Sequence, residues 1–217
     1  IMLEETGLAY KPIYVDVWNG DQFKPEFLKL NPNGKIPVIV DRDGPGGRPY
    51  TCFESGAILL YLAEKAGKFL PEDRVARFEA IQWLMIQMTG VGPMFGQFVH
   101  FKRFAPAGND YAMSRYRTEV LRLYDLIETR LGEQPYLGGA QYTIADIATF
   151  PWTRQHDFMG AGFEGRPNFR RWFETIAARP PVKAALAKVE TIPSVREHAK
   201  PEDVDRFFGR GNFARAS

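Results

Sequence analysis

The chain has 217 residues, 45% hydrophobic and 25% charged, with a formal net charge of +2. That length accommodates one domain or two small ones, and the composition is that of a globular protein. So small a net charge leaves no electrostatic footprint for nucleic acid, and no apolar run reaches the ~18–20 residues of a membrane span. Ile1 to Tyr10 carries Glu4 and Glu5 and does not read as a charged-then-apolar leader. A single cysteine rules out an internal disulfide and suits a reducing compartment. His100, His156 and His198 are scattered, so no metal site is expected, and each reads as a surface or hydrogen-bonded residue.

In chain order, Met2 to Leu8 reads as a helix end closed by Gly7. Lys11 to Val17 alternates and is rich in β-branched and aromatic residues, which predicts a strand. Pro25 to Leu30 predicts a short helix with proline in its first turn. Pro37 to Val40 and Arg48 to Phe53 read as strands. The turn residues Asp41-Arg42-Asp43-Gly44-Pro45-Gly46-Gly47 between them predict an antiparallel hairpin. Ser55 to Ala66 has helical spacing and stops at Gly67. After Lys68-Phe69-Leu70-Pro71-Glu72-Asp73 the strand signals cease. Arg74 to Met88 predicts a helix bent where Gly90, Gly92 and Pro93 fall. Further helices are predicted over Tyr111 to Leu131, Thr143 to Trp152, Asn168 to Ala178 and Val182 to Val189. The order predicts a small α/β domain over 1–66, a linker over 67–73 and an all-α domain over 74–190. The tail, 191–217, is polar with aromatics at Phe207, Phe208 and Phe213, and is expected to drape over the body or stay partly disordered.

Two strings carry chemistry. In Asn33-Gly34-Lys35-Ile36-Pro37-Val38-Ile39 a turn leads through an Ile-Pro bond into a strand. An X-Pro bond is cis in only ~5–6% of folded cases, so a trans bond is the default. A cis bond here would turn the Ile36 main chain outward, ready to pair with the backbone of a small peptide. In Phe53-Glu54-Ser55-Gly56-Ala57-Ile58 an acid and a serine stand where a strand ends and a helix begins. Ser55 reads as an N-cap, and the helix start favours an anion. Glu54 beside it would hold an ammonium group. An α-amino acid head group has both charges. A third string, Thr143-Ile144-Ala145-Asp146, matches a capping box, which is structural.

These strings, with Gly20-Asp21-Gln22-Phe23-Lys24-Pro25-Glu26-Phe27, Gly92-Pro93-Met94-Phe95-Gly96-Gln97, Ser114-Arg115-Tyr116 and Ile147-Ala148-Thr149-Phe150-Pro151-Trp152, resemble glutathione transferases over about residues 1–190. The likeness is greatest to the bacterial Nu-class, which are glutathione-dependent disulfide-bond oxidoreductases. The resemblance implies a thioredoxin-like α/β domain, lacking its first strand here, followed by an all-helical domain. It implies glutathione as co-substrate, a cytoplasmic homodimer, and no metal, membrane or nucleic-acid partner. Position by position, it implies that Gln22 contacts the peptide end of glutathione. Ile36, ahead of Pro37, would pair with the cysteinyl backbone, and Glu54 and Ser55 would hold the γ-glutamyl head. Lys35 would lie near the glycyl carboxylate, and Arg115 would meet a carboxylate of a second glutathione. Read without the family, Arg115 is a solvated helix residue. Met94, Phe95, Phe98 and Trp152 fit a second-substrate pocket and plain core packing equally.

In the Nu-class pattern a Thr and an Asn in the loop after the first strand activate the thiol. That loop is expected ahead of Ile1, so the native chain is expected to start earlier and the catalytic residue is unassigned. Cys52 reads as a small buried hydrophobe rather than a substitute. The expected activity is disulfide reduction by thiol–disulfide exchange. Glutathione conjugation to an apolar electrophile and a non-catalytic glutathione-binding role are the alternatives.

Overall fold

The hairpin expected around the Asp41–Gly47 turn forms the only sheet among the described residues, 1–192 and 200–208 of this computed structural model. Strand β1 (Val38–Asp41) runs antiparallel to β2 (Tyr50–Phe53), with Val38 opposite Phe53 and Asp41 opposite Tyr50. Gly44 has no room for a side chain, because a Cβ there would stand 2.6 Å from the Tyr50 Cβ.

Helix α1 (Met2–Thr6) ends at Gly7, whose φ of 74° gives the left-handed cap that its sequence predicts. Helix α2 (Pro25–Leu28) follows a short 3-10 turn at Asp21–Phe23, and α3 (Ser55–Ala66) has its expected bounds. Helix α4 (Arg74–Ile86) continues through a π-helical turn, Gln87–Val91, into α5 (Gly92–Arg103). The expected bend is therefore a π-bulge, and the residues beyond it form a helix that the sequence reading did not separate. Its glycines sit against side chains: a Cβ at Gly90 would lie 3.3 Å from Leu123, and one at Gly92 3.1 Å from the Gln87 amide. Helices α6 (Asp110–Glu133), α7 (Ile144–Thr153), α8 (Pro167–Ala177) and α9 (Pro180–Glu190) lie within a few residues of their predicted bounds.

Two expectations are corrected. Lys11 to Val17 is not a strand: residues 11–16 have no regular structure. A strand exists only where a neighbour completes its ladder, and the sheet among the described residues contains β1 and β2 alone. Beyond it the chain turns locally, because the Asp16 carboxylate accepts from the Trp18 and Asn19 amides. The tail also contains a helix that was not expected, α10 (Pro201–Phe208). His198 and Phe213 lie outside the described residues.

The chain forms two compact units. One comprises Ala9–Ile58 and the described residues from Lys188 onward, and the other Ile1–Leu8 and Leu59–Ala187. The division passes through α3 rather than after it, and α1 groups with the helical unit. Side chains explain the second point. Glu5, nearly buried, accepts two bonds from Arg179, at 2.6 and 2.8 Å, and the Lys68 ammonium donates to the Thr6 carbonyl. A bidentate guanidinium–carboxylate pair with one partner buried is a strong positional restraint.

In the helical unit, α6 buries Val120, Leu123, Tyr124, Ile127 and Leu131, the three- and four-residue spacing of one helix face. The polar anchor is Asp146 on α7. Its Oδ1 accepts from the Leu137 amide and the Trp172 indole, both at 2.8 Å, and its Oδ2 from the Thr143 amide and hydroxyl. The predicted capping box is formed. Burial pushes the carboxyl up from its ordinary range, and the donors at Leu137, Trp172 and Thr143 pull it part of the way back. Asp146→Asn would keep the Oδ1 acceptor and turn an NH2 toward the Thr143 donors. We expect a loss of about 2–4 kcal/mol, read as a lower denaturation midpoint with an unchanged slope.

Candidate functional site

Antiparallel register builds the candidate site. Because Val38 faces Phe53, the Ile36–Pro37 pair just before β1 comes beside Glu54 and Ser55 just after β2. Residues eighteen positions apart in sequence thus share one end of the hairpin.

The first wall is the turn before β1. Asn31, 1% exposed, organises it. Its Oδ1 accepts from the Asn33 amide at 2.9 Å, and its Nδ2 donates to the Lys35 carbonyl at 2.7 Å. Gly34, with φ 62°, supplies the left-handed step, and the Phe23 ring lies where a Cβ on Gly34 would come within 3.3 Å of it. The Ile36–Pro37 bond is cis rather than trans by default, and Ile36 is half exposed. Its main-chain N–H and C=O have no protein partner among the described residues. An exposed pair of that kind accepts a strand-like peptide backbone.

The second wall is the start of α3. Glu54, not Ser55, occupies the cap: its carbonyl accepts the first helical bond, from Ile58 N–H at 2.9 Å, and Ser55 is the first helical residue. Glu54 has φ 68°, a left-handed conformation that a non-glycine residue adopts at a cost of about 1–3 kcal/mol. Holding it there leaves the carboxylate exposed, with Oε1 accepting from the Asn33 side-chain Nδ2 at 3.2 Å. A helix start concentrates N–H groups and the positive end of the helix dipole, so the beginning of α3 presents partial positive charge. A carboxylate and a helix N-terminus therefore stand side by side, a match for an ammonium and a carboxylate on one carbon.

The remaining expected residues lie as follows. Lys35 is exposed, and its carbonyl, not its ammonium, is committed to Asn31. Gln22 is 2% exposed; its Nε2 donates to the Val17 carbonyl at 3.2 Å, and its buried Oε1 has no partner among the described residues. Arg115 lies in the other unit, on α6, exposed and paired with Glu119 at 2.8 Å. Glu119 also holds Arg122, and the hydrogen bond from Arg115 to Glu119 raises the Arg115 pKa. Cys52 is buried, and burial pushes its thiol up, away from the thiolate. Phe95 and Phe98 are core residues, whereas Trp152 is 37% exposed. Asn31 and Asn33 carry the architecture of the turn without having been assigned a role. Their signal is Asn-Pro-Asn-Gly, in which asparagine side chains bond the backbone two residues on.

The family model for the glutathione S-transferase N-terminal domain matches residues 1–65, and that for the C-terminal domain matches residues 84–180. The chain is 46% identical over 191 residues to disulfide-bond oxidoreductase YfcG of Escherichia coli, covering 88% of this chain and 89% of that protein. Among solved structures, a glutathione transferase from Burkholderia graminis with two glutathione molecules bound per subunit is 48% identical, with a TM-score of 0.81 over 88% of this chain and 82% of that one. One from Pseudomonas putida with a glutathione disulfide bound per subunit is 42% identical, with a TM-score of 0.82 over 89% of this chain and 85% of that one.

The left-handed Glu54 has a measurable consequence. Glu54→Gly removes an exposed hydrogen bond and relieves the backbone. We expect stability unchanged or higher by about 1 kcal/mol in thermal melts, where Glu54→Ala gives no such gain.

Proposed function

The chain belongs to the glutathione S-transferase family, and from that premise we propose that it reduces small disulfides with glutathione by thiol–disulfide exchange. The observation that carries the reading is the placement of an unpartnered Ile36 main chain and the Glu54 carboxylate at one end of the hairpin. Its support is the 46% identity to a disulfide-bond oxidoreductase. In this reading Ile36, ahead of Pro37, pairs with the cysteinyl backbone. Glu54 takes the γ-glutamyl ammonium, and the first turn of α3 at Ser55 takes its carboxylate. Lys35 is assigned to the glycyl carboxylate and Gln22 to the peptide end. Arg115 is assigned to a carboxylate of a second glutathione, for which it would exchange its Glu119 partner.

The chemistry balances with two glutathiones. The first thiolate attacks one sulfur of the disulfide and expels the other half as thiolate, leaving a mixed disulfide. A second glutathione thiolate attacks that mixed disulfide, releasing glutathione disulfide and the remaining thiol. The expelled thiolates take up the protons that the two glutathione thiols gave up. No protein cysteine takes part, consistent with the buried Cys52. A free thiol of this type has a pKa of about 8.5, and each unit of depression requires about 1.4 kcal/mol of preference for the anion. We assign the cradle to positioning, which raises the effective concentration of the sulfur at the disulfide. We further propose that the protein works as a homodimer in a reducing cytoplasm.

Steady-state assays with hydroxyethyl disulfide and with 1-chloro-2,4-dinitrobenzene test the reading. Efficient disulfide reduction with slow conjugation is expected, and the reverse order would move the protein to the conjugating class. Tight glutathione binding without turnover of either substrate would make it a binding protein. Glu54→Gln should raise the glutathione KM by about tenfold or more, the loss of one charge-assisted contact. Arg115→Ala should leave the first glutathione's affinity unchanged and weaken the second, resolved as separate steps in calorimetric titration.

A further inference from the structure

Helix α10 (Pro201–Phe208) is a built element. Pro201 takes its first position, and the Asp203 carboxylate accepts from the Lys200 amide at 3.0 Å, half of a capping box. Asp203 also pairs with Arg206 at 2.9 Å. Its apolar residues, Val204, Phe207 and Phe208, fall at helical spacing on one face, and Val204 is buried. The Phe207 ring stacks on the Trp18 indole, with centroids 4.5 Å apart and planes 22° from parallel, and Phe208 meets Phe207 edge-on. Stacking of two large rings is worth more than the area it covers.

Trp18 belongs to a turn tied by short-range bonds. Asp16 accepts from the Trp18 and Asn19 amides, Asp21 accepts from the Asp16 amide, and the Gln22 amide donates to the Val17 carbonyl. The same turn braces the peptide cradle. Gly34 lies under the Phe23 ring, and a Cβ there would also stand 3.5 Å from the Gln22 carbonyl. A physical path thus runs from Phe207 through Trp18 and the 16–23 turn to Gly34 and Ile36, all within one compact unit. The turn contains no regular ladder of its own, so its position depends on what it packs against.

We propose that α10 is a strap, with Phe207, acting through Trp18, a positioning residue for the glutathione cradle. The proposal rests on the glutathione reading of that cradle. The strap keeps the Asn31–Ile36 turn in its binding geometry before the ligand arrives, so its contribution appears in affinity and not in the chemical step. Phe207 touches neither the peptide nor the reacting sulfur.

The test uses the full chain in three forms, native, Phe207→Ala and Phe207→Tyr. Glutathione titration, steady-state disulfide reduction and amide hydrogen exchange are measured on each. In Phe207→Ala the glutathione Kd and KM should rise about five- to tenfold, with kcat within about twofold of native. Phe207→Tyr, which keeps the ring, should return both within about twofold. Exchange in Phe207→Ala should quicken over residues 17–23 and 31–36, with no ligand needed. Unchanged exchange in both segments, an unchanged KM, or a fall in kcat at constant KM would each overturn the strap. If the native protein binds no glutathione while exchange quickens as stated, the glutathione reading fails and the mechanical coupling stands.

Discussion

The register of one hairpin, two strands of four residues each, is the constraint on which the candidate site depends. Val38 opposite Phe53 sets which residues meet at the end of the sheet, and those residues are Ile36–Pro37 and Glu54–Ser55. A slip of one residue would invert every strand side chain and separate the two walls. The glycine-rich turn between the strands restricts that slip, and Gly44 is packed so closely against Tyr50 that no other residue fits. The Asn33–Glu54 hydrogen bond then joins the walls beyond the last ladder pair. The backbone strain at Glu54 is compatible with this arrangement because the strand before it and the helix after it fix both of its ends.

The helical unit has a separate centre. Asp146 gathers donors from Leu137, Thr143 and Trp172, and so ties a loop, a helix start and α8 to a single carboxylate. A buried carboxylate with so many donors specifies one arrangement of those elements, because any other leaves donors or charge unpaired. The Glu5–Arg179 pair performs a similar task for α1. In the helical unit, then, buried carboxylates fix the arrangement of the elements.

Much of this was legible from residue order. Helical spacing, the Gly7 cap, the Thr143–Asp146 capping box and the hairpin turn are local patterns, and each formed close to where its residues place it. The proline, the acid and the helix start at the hairpin end were legible for the same reason, since each is a short-range signal. The readings that required correction depended on partners. Lys11 to Val17 has the composition of a strand, yet a ladder needs a second chain segment, and alternation cannot supply one. Ser55 reads as a cap, but the helix begins at Ser55 itself, which puts Glu54 in the cap position. Helix α10 carried a proline and an acid in capping positions, and its polarity concealed them.

The sequence by itself determined the hairpin and most helices, because these follow from local spacing and capping chemistry, and its motifs carried the resemblance to glutathione transferases. Only the tertiary structure decided how those residues are held. It placed the Asn33 side-chain amide on the Glu54 carboxylate, buried Asn31 as the organiser of the turn, paired Arg115 with Glu119 and stacked Phe207 on Trp18. Two of these contacts join residues far apart in the chain, and their geometry exists only once the backbone has closed. For Ile36-Pro37 and Asn31 the reverse holds, since the deciding bonds are short in sequence but depend on a backbone conformation that several local alternatives could replace.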